Sequence, residues 1–291
     1  MLKGSMTALI TPFTNGKVDE MTFRALVERQ VEEGTHAVVP CGTTGESPTL
    51  THTEHMAVTE MCIEAVKSRV SVIAGAGSNS TDEAIQLVRH AAKAGADATL
   101  VVTPYYNKPT QAGLYAHFKA VHDACELPLF IYNIPGRSVV DMSVETMRRL
   151  AELPYIVGVK DATADLTRPL RTRMAIGEDF IQLSGEDATV VPFLSQGGVG
   201  CISVTSNIAP RACSDLHKAW MKGDHETVNE INNHLLPVHE ALFCESSPGP
   251  VKYAASLMGL CSDELRLPLC EIAEESKEKV HKALVSAGLL S

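Results

Sequence analysis

The chain has 291 residues, of which 45% are hydrophobic and 21% charged, a composition typical of an ordinary soluble globular protein. Its 25 lysines and arginines against 35 aspartates and glutamates give a net charge of −10, and no basic block is present. This balance argues against a surface for nucleic acid or anionic membrane. No apolar run approaches the roughly 20 residues that cross a bilayer, and the first residues lack the cleavage region of a signal peptide. We therefore expect a cytoplasmic protein.

Cysteines and histidines give no sign of a metal site. The eight cysteines contain no C-x-x-C pair, and the eleven histidines show no H-E-x-x-H or similar spacing of zinc ligands. In a chain of this length without a secretory signal, scattered cysteines are expected to be reduced and mostly buried. We therefore predict neither a bound metal nor a disulfide framework.

Short apolar runs alternate along the chain with amphipathic segments. Eight runs have the length and composition of β-strands, and they cover residues 6–11, 37–41, 70–74, 98–103, 129–133, 155–161, 180–184 and 201–205. A helical pattern follows each run; the first such helix ends at Gly34, and the others cover about 51–67, 80–94, 111–125, 143–151, 166–175, 188–196 and 210–222. The sequences Thr51-His-Thr-Glu54 and Ser80-Thr-Asp-Glu83 predict capping boxes at two helix starts.

Eight evenly spaced strand–helix repeats over roughly 220 residues predict a (β/α)8 TIM barrel, an α/β fold. The alternative is an open doubly wound sheet, but no G-x-G-x-x-G follows the first strand and there is no P-loop. Beyond Gly223 only helical patterns occur, near 227–242, 250–260 and 271–287. We therefore predict a barrel domain over 1–223 and a C-terminal helical extension over 224–291, packed on the barrel or on a neighbouring subunit.

Lys160 ends the apolar run 155–161 and is the first candidate for chemistry. A lysine at a strand end most often lays its stem along apolar surface and keeps its ammonium in water. The alternative is an amine that desolvation has activated, so that it attacks a carbonyl and forms a Schiff base. Which interpretation holds depends on whether other strands deliver matching groups to the same place.

In a barrel, the residues just past each strand face one shared bowl. In this sequence the positions at the strand ends carry Thr43, Thr44, Tyr105, Tyr106, Tyr132, Arg137, Lys160, Gly185, Glu186 and Ile202. Tyr132 precedes Lys160 by one barrel repeat, so neighbouring strands would place the two side by side. A phenol holds its proton at neutral pH and needs a hydrogen-bond relay to move it, which Thr43 and Tyr106 could supply.

Two further groups are suited to carboxylates. The loop Gly42-Thr-Thr-Gly45 offers backbone N–H groups and two hydroxyls. The guanidinium of Arg137 can hold a second carboxylate through its bidentate fork. Taken singly, the loop is an ordinary tight turn, Tyr132 a core residue and Arg137 a solvated charge. Their joint placement on one rim, facing a strand-end lysine, is much harder to attribute to chance.

Five motifs distributed along the chain resemble those of the dihydrodipicolinate synthase family, within the superfamily of class I pyruvate aldolases and lyases. They are Gly42-Thr-Thr-Gly-Glu46, Tyr105-Tyr-Asn-Lys-Pro109, Tyr132-Asn-Ile-Pro-Gly-Arg137, Gly158-Val-Lys-Asp161 and Pro250-Val-Lys252. The match runs from near Gly4 to Leu290. The resemblance implies a Schiff-base enzyme that condenses pyruvate with L-aspartate-4-semialdehyde in diaminopimelate and lysine synthesis, with no cofactor or metal.

The resemblance also implies roles for single residues. Lys160 would form the imine, Tyr132 would donate and accept protons, and Thr43 and Tyr106 would relay them, with Tyr106 serving the site of a neighbouring subunit. Thr44 would bind the carboxylate of pyruvate and Arg137 that of the semialdehyde. Backbone groups of Gly185 and Ile202 would line the pyruvate pocket. The family resemblance further implies a homotetramer built from two tight dimers.

A feedback site for lysine is implied by the same resemblance. The matching residues are Ser47, Pro48, His52, His55, Asn79, Glu83 and Tyr105. The carboxylate of Glu83 would suit an ammonium, whereas Pro48 stands at a position that varies in the family. Without the family, His52 and His55 are merely polar residues on the first turn of a helix.

Two alternatives stay open at this point. One is another pyruvate-dependent aldolase, acting on N-acetylneuraminate or a keto-deoxy sugar acid; Thr44 and Arg137 favour the synthase, because a sugar substrate would leave Arg137 without its carboxylate. The other is a barrel that binds a carbonyl metabolite without turnover. The intact set of lysine, tyrosine and threonine argues against this second alternative.

Overall fold

A computed structural model describes residues 2–290 and confirms the predicted barrel. Eight strands close into a ring in which each strand lies beside the next one along the chain. The strands are Gly4–Ala8, Ala37–Val39, Ser71–Gly75, Ala98–Val102, Leu129–Asn133, Ile156–Asp161, Ile181–Ser184 and Gly200–Ser203. An open doubly wound sheet is therefore excluded.

The helices also follow the sequence pattern closely. Those between and after the strands are Glu20–Glu32, His52–Val66, Thr81–Ala94, Gln111–Asp123, Val144–Leu150, Arg168–Ile176, Val190–Ser195 and Pro210–Lys222, and the later ones are His225–Ala241, Gly249–Leu257 and Glu274–Ser286. His225–Ala241 packs against Pro210–Lys222. The domain boundary at Gly223 stays a prediction. Within residues 2–290, no helix is both long and apolar enough to cross a membrane.

The chain divides into two compact units, each with its own apolar core. One unit consists mainly of Val72–Ile202, and its core includes Phe118 and Ile131. The other joins Gly4–Ser71 to the chain from Ser203 onward, with Val251 and Leu284 in its core.

A short β-hairpin follows the first barrel strand, and the sequence analysis did not predict it. Phe13–Thr14 pairs antiparallel with Lys17–Val18. The connecting residues Asn15 and Gly16 have φ values of 54° and 76°, and two positive φ values are what a type I′ turn requires. Asn-Gly is a strong hairpin signal, but strands of two residues are too short to show an alternating pattern.

The eighth strand is shorter than predicted. It ends at Ser203, and Thr205–Asn207 forms a 3-10 turn, so the prediction of strand over 201–205 was wrong at its carboxyl end. The buried side chain of Asn207 explains the turn. Its Nδ2 donates to the carbonyl of Ala8 at 2.8 Å, and its Oδ1 accepts from the N–H of Ile10 at 3.1 Å. An asparagine held in this way serves backbone groups that would otherwise lie unpaired in the interior.

Of the two predicted capping boxes, one is complete. Thr51 accepts from the N–H of Glu54 at 3.2 Å, and the Glu54 carboxylate accepts from the N–H of Thr51 at 2.8 Å. At the other start, Ser80 accepts from the N–H of Glu83 at 3.5 Å, but the N–H of Ser80 donates to Ser78 Oγ at 3.0 Å. The hydroxyl of Ser78 in turn donates to the Glu83 carboxylate. The second box was therefore wrong in its reciprocal half, because Ser78 stands between the two groups.

The complete box gives a prediction for stability at different pH. The guanidinium of Arg266 bonds to Glu54 and lowers the pKa of its carboxyl from 4.5 to about 2. Since the pKa is lowered, the ionised carboxylate stabilises the fold above pH 4.5, and the contribution is lost as the pH falls towards 2. We expect Glu54→Gln to lower the free energy of unfolding by about 1–2 kcal/mol at pH 7 and by progressively less below pH 4.5. Denaturation of both proteins across this pH range, with the exposed Glu178→Gln as control, measures the difference; a gap that does not vary with pH would contradict the assignment.

Candidate active site

Lys160 and Tyr132 lie side by side on neighbouring strands, as the spacing predicts. Tyr132 of the fifth strand is the register partner of Lys160 of the sixth. Both side chains are buried, and Nζ of Lys160 lies 4.3 Å from the centre of the Tyr132 ring. Among the described residues, no carboxylate comes within ion-pair distance of this amine. A buried lysine without an ionic partner calls for a functional explanation, and the phenol ring stands next to it.

A β-bulge sets the register that brings these two residues together. Leu129 pairs with Ile156, whereas Phe130 pairs with Gly158, so Val157 is an extra residue on the sixth strand. Side chains alternate along a strand, and a shift of one residue sends each to the opposite face. Without the extra residue, Val159 and not Lys160 would face Tyr132. The bulge is therefore the local feature that places the Lys160 amine beside Tyr132.

Two residues that were predicted to line the pyruvate pocket come directly after residues paired with the sixth and seventh strands. Lys160 pairs with Leu183 and Asp161 with Ser184, and Ser184 pairs in turn with Cys201. The next residues along the chain are Gly185, which directly follows the seventh strand, and Ile202, which lies within the eighth. Gly185 leaves no space for a side chain, because a Cβ there would lie 3.2 Å from Cε of Lys160 and 2.7 Å from Cβ of Ala162.

This close approach predicts the effect of adding a methyl group. Gly185→Ala is expected to displace the Lys160 stem and to lower kcat/KM by about tenfold or more, at a cost in stability of about 1–3 kcal/mol. Steady-state kinetics and thermal unfolding would measure the two effects. Gly136→Ala is a matched control for stability, because nothing lies within 4 Å of its added Cβ. Unchanged kinetics in Gly185→Ala would show that the amine tolerates the contact.

Arg137 is carried by a four-residue helix, Pro135–Ser138, which follows the fifth strand. Ser138 is fully buried; its Oγ accepts from Thr103 Oγ1 at 3.0 Å and donates to the carbonyl of Ile134 at 2.9 Å. Val139, which ends the helix, has a φ of 67°, an outlier for a β-branched residue. The turn is thus held firmly while the Arg137 side chain itself is exposed.

A buried polar network follows Lys160 directly and was missed from the sequence. Asp161 Oδ1 accepts from the N–H and the hydroxyl of Thr163 at 2.9 and 2.7 Å, and Oδ2 lies 3.7 Å from Nε of Arg168. Arg168 also donates to Asp141 at 2.9 Å, and Asp141 accepts from Asn133 Nδ2 at 2.7 Å. Burial raises the pKa of the Asp161 carboxyl, while Thr163 and Arg168 oppose the rise. The network ties the residues that follow Tyr132 and Lys160 to one another.

The predicted anion loop lies in the other compact unit. Thr44 is buried and Thr43 half-buried, and the residues on either side of the loop, Cys41 and Glu46, have φ values of 55° and 54°. Non-glycine residues adopt this conformation only when their surroundings enforce it. Thr11 contributes to this, because its hydroxyl donates to the carbonyl of Gly45 at 2.7 Å.

A fully buried ion pair holds the end of this loop. Nζ of Lys252 lies 2.8 Å from Glu46 Oε1, and both side chains are 0% exposed. The ammonium also donates to the carbonyls of Thr11, at 3.0 Å, and Glu264, and Glu46 Oε2 accepts from the N–H of Arg266 at 3.1 Å. The sequence motif Pro250-Val-Lys252 pointed to this lysine but not to its partner, which is 206 residues away.

The two tyrosines that follow the fourth strand differ in their exposure to solvent. Tyr105 is half-buried, whereas Tyr106 is 88% exposed and has a φ of 72°. A large aromatic ring held outward in a strained conformation is characteristic of a surface that meets a partner. Within its own chain, therefore, Tyr106 is not packed in the interior with Tyr132.

The residues of the implied lysine site have varied surroundings. His52 is exposed at the start of its helix, and His55 is buried, its carbonyl accepting from Thr59 Oγ1 at 3.0 Å. The backbone carbonyl of Asn79 accepts from Asn107 Nδ2 at 2.9 Å. Ser47 and Pro48 belong to the 3-10 turn Ser47–Thr49. The expectation that these residues form one regulatory site with Glu83 and Tyr105 stays a prediction.

Comparison with known proteins gives a consistent result over the whole chain. A family model described as the dihydrodipicolinate synthetase family matches residues 1–287. The 4-hydroxy-tetrahydrodipicolinate synthase of Rhodospirillum centenum is 62% identical over 291 residues, which cover 100% of both chains. Two solved structures are similar: the chloride-inhibited dihydrodipicolinate synthase of Acinetobacter baumannii complexed with pyruvate (TM-score 0.97, 46% identity, 100% of each chain), and that of Cyanidioschyzon merolae with lysine bound (TM-score 0.96, 40% identity, 99% of each chain).

Proposed function

The chain belongs to the dihydrodipicolinate synthetase family, and we propose that it performs the reaction of that family through an imine between Lys160 and pyruvate. The reaction condenses pyruvate with L-aspartate-4-semialdehyde to give 4-hydroxy-tetrahydrodipicolinate, in the pathway to diaminopimelate and lysine. The enzyme is thus a lyase that joins two small carbonyl compounds. Its relatives at about 60% identity carry the corresponding name.

The observation that carries the proposed mechanism is the pairing of Lys160 with Tyr132. The amine adds to the keto group of pyruvate, and loss of water gives the imine. Removal of a proton from the methyl carbon gives the enamine, which attacks the aldehyde and forms the carbon–carbon bond. The amine of the semialdehyde then displaces Lys160 and closes the ring. These steps move protons at the nitrogen, at the methyl carbon and at the former carbonyl oxygens, and in the proposed mechanism the Tyr132 hydroxyl group donates and accepts them.

Reductive trapping tests the covalent step. Borohydride added to the enzyme with pyruvate should fix an adduct on the peptide that contains Lys160, and mass spectrometry should locate it there. A coupled assay should then show turnover with pyruvate and aspartate-semialdehyde and none with N-acetylneuraminate. An unmodified peptide, or cleavage of the sugar acid at a comparable rate, would overturn the proposal.

Tyr132→Phe separates proton transfer by Tyr132 from imine formation on Lys160. The variant should still form the trapped adduct, but more slowly, and its kcat should fall about 10²- to 10⁴-fold because the proton donor is lost. The family resemblance also implies roles for six other residues of the site, and these roles stay predictions. The residues are Thr43, Thr44, Tyr106, Arg137, Gly185 and Ile202.

Assembly and regulation belong to the same proposal. We expect a homotetramer of two tight dimers, supported by the outward position of Tyr106, and sedimentation of the wild-type protein would test it. Lysine inhibition is supported by the relative with lysine bound. If millimolar lysine left the initial rate unchanged, the regulatory part would be wrong. The cytoplasmic location predicted from the sequence completes the proposal.

A further inference from the structure

A buried polar side chain directly follows each of the two residues proposed to react. Asn133 follows Tyr132, and Asp161 follows Lys160. These two following residues are register partners on the fifth and sixth strands, and only 0% and 6% of their surfaces are exposed. Because side chains alternate along a strand, Asn133 and Asp161 point to the opposite face from the amine and the phenol. They therefore lie on the far side of the barrel wall from the reacting groups.

The guanidinium of Arg168 connects these two side chains. Arg168 is buried at the start of the helix that follows the sixth strand. It donates to the Asp141 carboxylate at 2.9 Å, and its Nε lies 3.7 Å from Oδ2 of Asp161. Asp141 in turn accepts from Nδ2 of Asn133 at 2.7 Å. One cation thus bridges the end of the strand that carries the lysine and the end of the strand that carries the tyrosine.

Stability alone is a poor explanation for this bridge. Within residues 2–290, Nε of Arg168 has no hydrogen-bond partner, and its 3.7 Å separation from Asp161 is too long for a hydrogen bond. Burial raises the pKa of the Asp161 carboxyl, which means that its surroundings disfavour the charged form, although Thr163 and Arg168 oppose the rise. A buried ion pair offsets the desolvation of its charges only when its geometry is close to ideal. The bridge therefore calls for an explanation other than stability.

The backbone around Asp161 transmits any movement of this residue to the reacting amine. The carbonyl of Asp161 accepts from the N–H of Gly185 at 2.7 Å, and the N–H of Ala162 donates to the carbonyl of Asn133 at 3.0 Å. Gly185 approaches the stem of Lys160 so closely that an added Cβ would lie 3.2 Å from Cε. A displacement of Asp161 would therefore shift Gly185 against this stem, and an error of about 1 Å in such a geometry can lower a rate about 100-fold.

We propose that Arg168 is a positioning residue whose guanidinium fixes the distance between the Lys160 amine and the Tyr132 hydroxyl. The proposal rests on the proposed function and deepens it by naming what sets the geometry of the reacting pair. In the first step the nitrogen of Lys160 bonds to the keto carbon of pyruvate, and the keto oxygen leaves as water with protons that the Tyr132 hydroxyl helps to move. These transfers need a correct distance between the two groups. Arg168 is therefore expected to affect the rate of imine formation and not the affinity for pyruvate.

Two other roles for this network make different predictions. If the bridge served only the fold, every variant that stays folded would form the imine at the wild-type rate. If Asp161 itself exchanged protons with the substrate, Asp161→Asn would be inactive and Arg168→Lys would keep its activity. Positioning by the guanidinium instead predicts slow imine formation in a folded Arg168→Lys.

The test measures imine formation before the first turnover. The enzyme is mixed with increasing pyruvate and quenched with borohydride, and the trapped adduct gives a rate that reaches a plateau. Arg168→Lys keeps the positive charge but loses the forked donor. We expect its plateau rate and its kcat to fall about 10- to 100-fold, with the pyruvate concentration at half the plateau rate changed by less than about twofold. Circular dichroism checks that the variant is folded.

A double variant separates positioning from stability. Arg168→Met leaves Asp161 without its counterion and should unfold more easily than wild type, whereas Asp161→Asn/Arg168→Met removes both buried charges. The double variant should regain stability in denaturant unfolding, because neither charge of the buried pair is left alone. Its plateau rate should nevertheless stay at least about tenfold below that of wild type, since the bridge is still missing. Recovery of the rate together with the stability would overturn the inference.

Arg148→Lys is the matched control. Arg148 also bridges two carboxylates, those of Glu145 and Glu152 at 3.0 and 2.9 Å, but its side chain is 41% exposed against 8% for Arg168. This variant should form the imine at the wild-type rate. A wild-type plateau rate in folded Arg168→Lys, or a loss in Asp161→Asn that Arg168→Lys does not share, would overturn the inference and leave the imine mechanism standing. Failure of the wild-type enzyme to trap pyruvate would instead overturn the proposed function.

Discussion

Replacing Lys160 with alanine is expected to abolish the trapped pyruvate adduct and to lower kcat by at least ~10⁴-fold. Alanine removes the only group in the proposed mechanism that can bond to the keto carbon, so no imine and no enamine can form. Folding should be retained, because the buried amine has no ion-pair partner among the described residues that its removal would strand. Trapping with borohydride, mass spectrometry and the coupled assay measure the loss.

Lys160→Arg is the matched control, because it keeps a positive charge near the Tyr132 ring while the guanidinium cannot form the imine. Both variants should be equally inactive if covalent chemistry matters. If arginine preserved activity, the role of Lys160 would be electrostatic. If alanine preserved the adduct, another lysine would be the nucleophile.

The sequence was sufficient for the barrel and for the placement of Lys160 beside Tyr132, because even repeat spacing and apolar periodicity are local patterns. The register that aims the amine was not visible in it. An extra residue at Val157 leaves no mark in a run of β-branched side chains, yet it decides which face Lys160 occupies. The hairpin at Asn15–Gly16 was missed for a related reason, since its strands are too short to show a period.

The polar networks could not be derived from the sequence, because their members are distant along the chain. Nothing near Lys252 indicates that its charge is buried, and nothing near Glu46 indicates that its partner lies 206 residues on. Family motifs can name both residues, but only the fold shows that they form one pair. Glu186 was noted only as a strand-end residue, and the burial that raises the pKa of its carboxyl became visible only in three dimensions.

Lys252→Met is expected to lower the free energy of unfolding by about 3–5 kcal/mol. Methionine fills the space of the stem, but Glu46 is left with a buried charge that has lost its counterion. Burial lowers the pKa of Lys252, and Glu46 opposes this, so the two charges depend on each other. Denaturant unfolding measures the loss. The control is Lys119→Met, which removes one partner of an exposed pair with Asp123 and should cost less than about 1 kcal/mol.

The double variant Glu46→Gln/Lys252→Met tests whether the two charges act as a pair. Glu46→Gln removes the carboxylate that Lys252→Met leaves without its counterion. The double variant should therefore be more stable than Lys252→Met alone, with a coupling free energy of about 2 kcal/mol or more. Simple addition of the two losses would contradict a direct pair.

The same variants should raise the KM for pyruvate more than they lower kcat, because Glu46 ends the strained loop that carries Thr43 and Thr44. A change in stability with unchanged KM would limit the ion pair to holding the fold, whereas a raised KM would make Lys252 a positioning residue that acts through the loop.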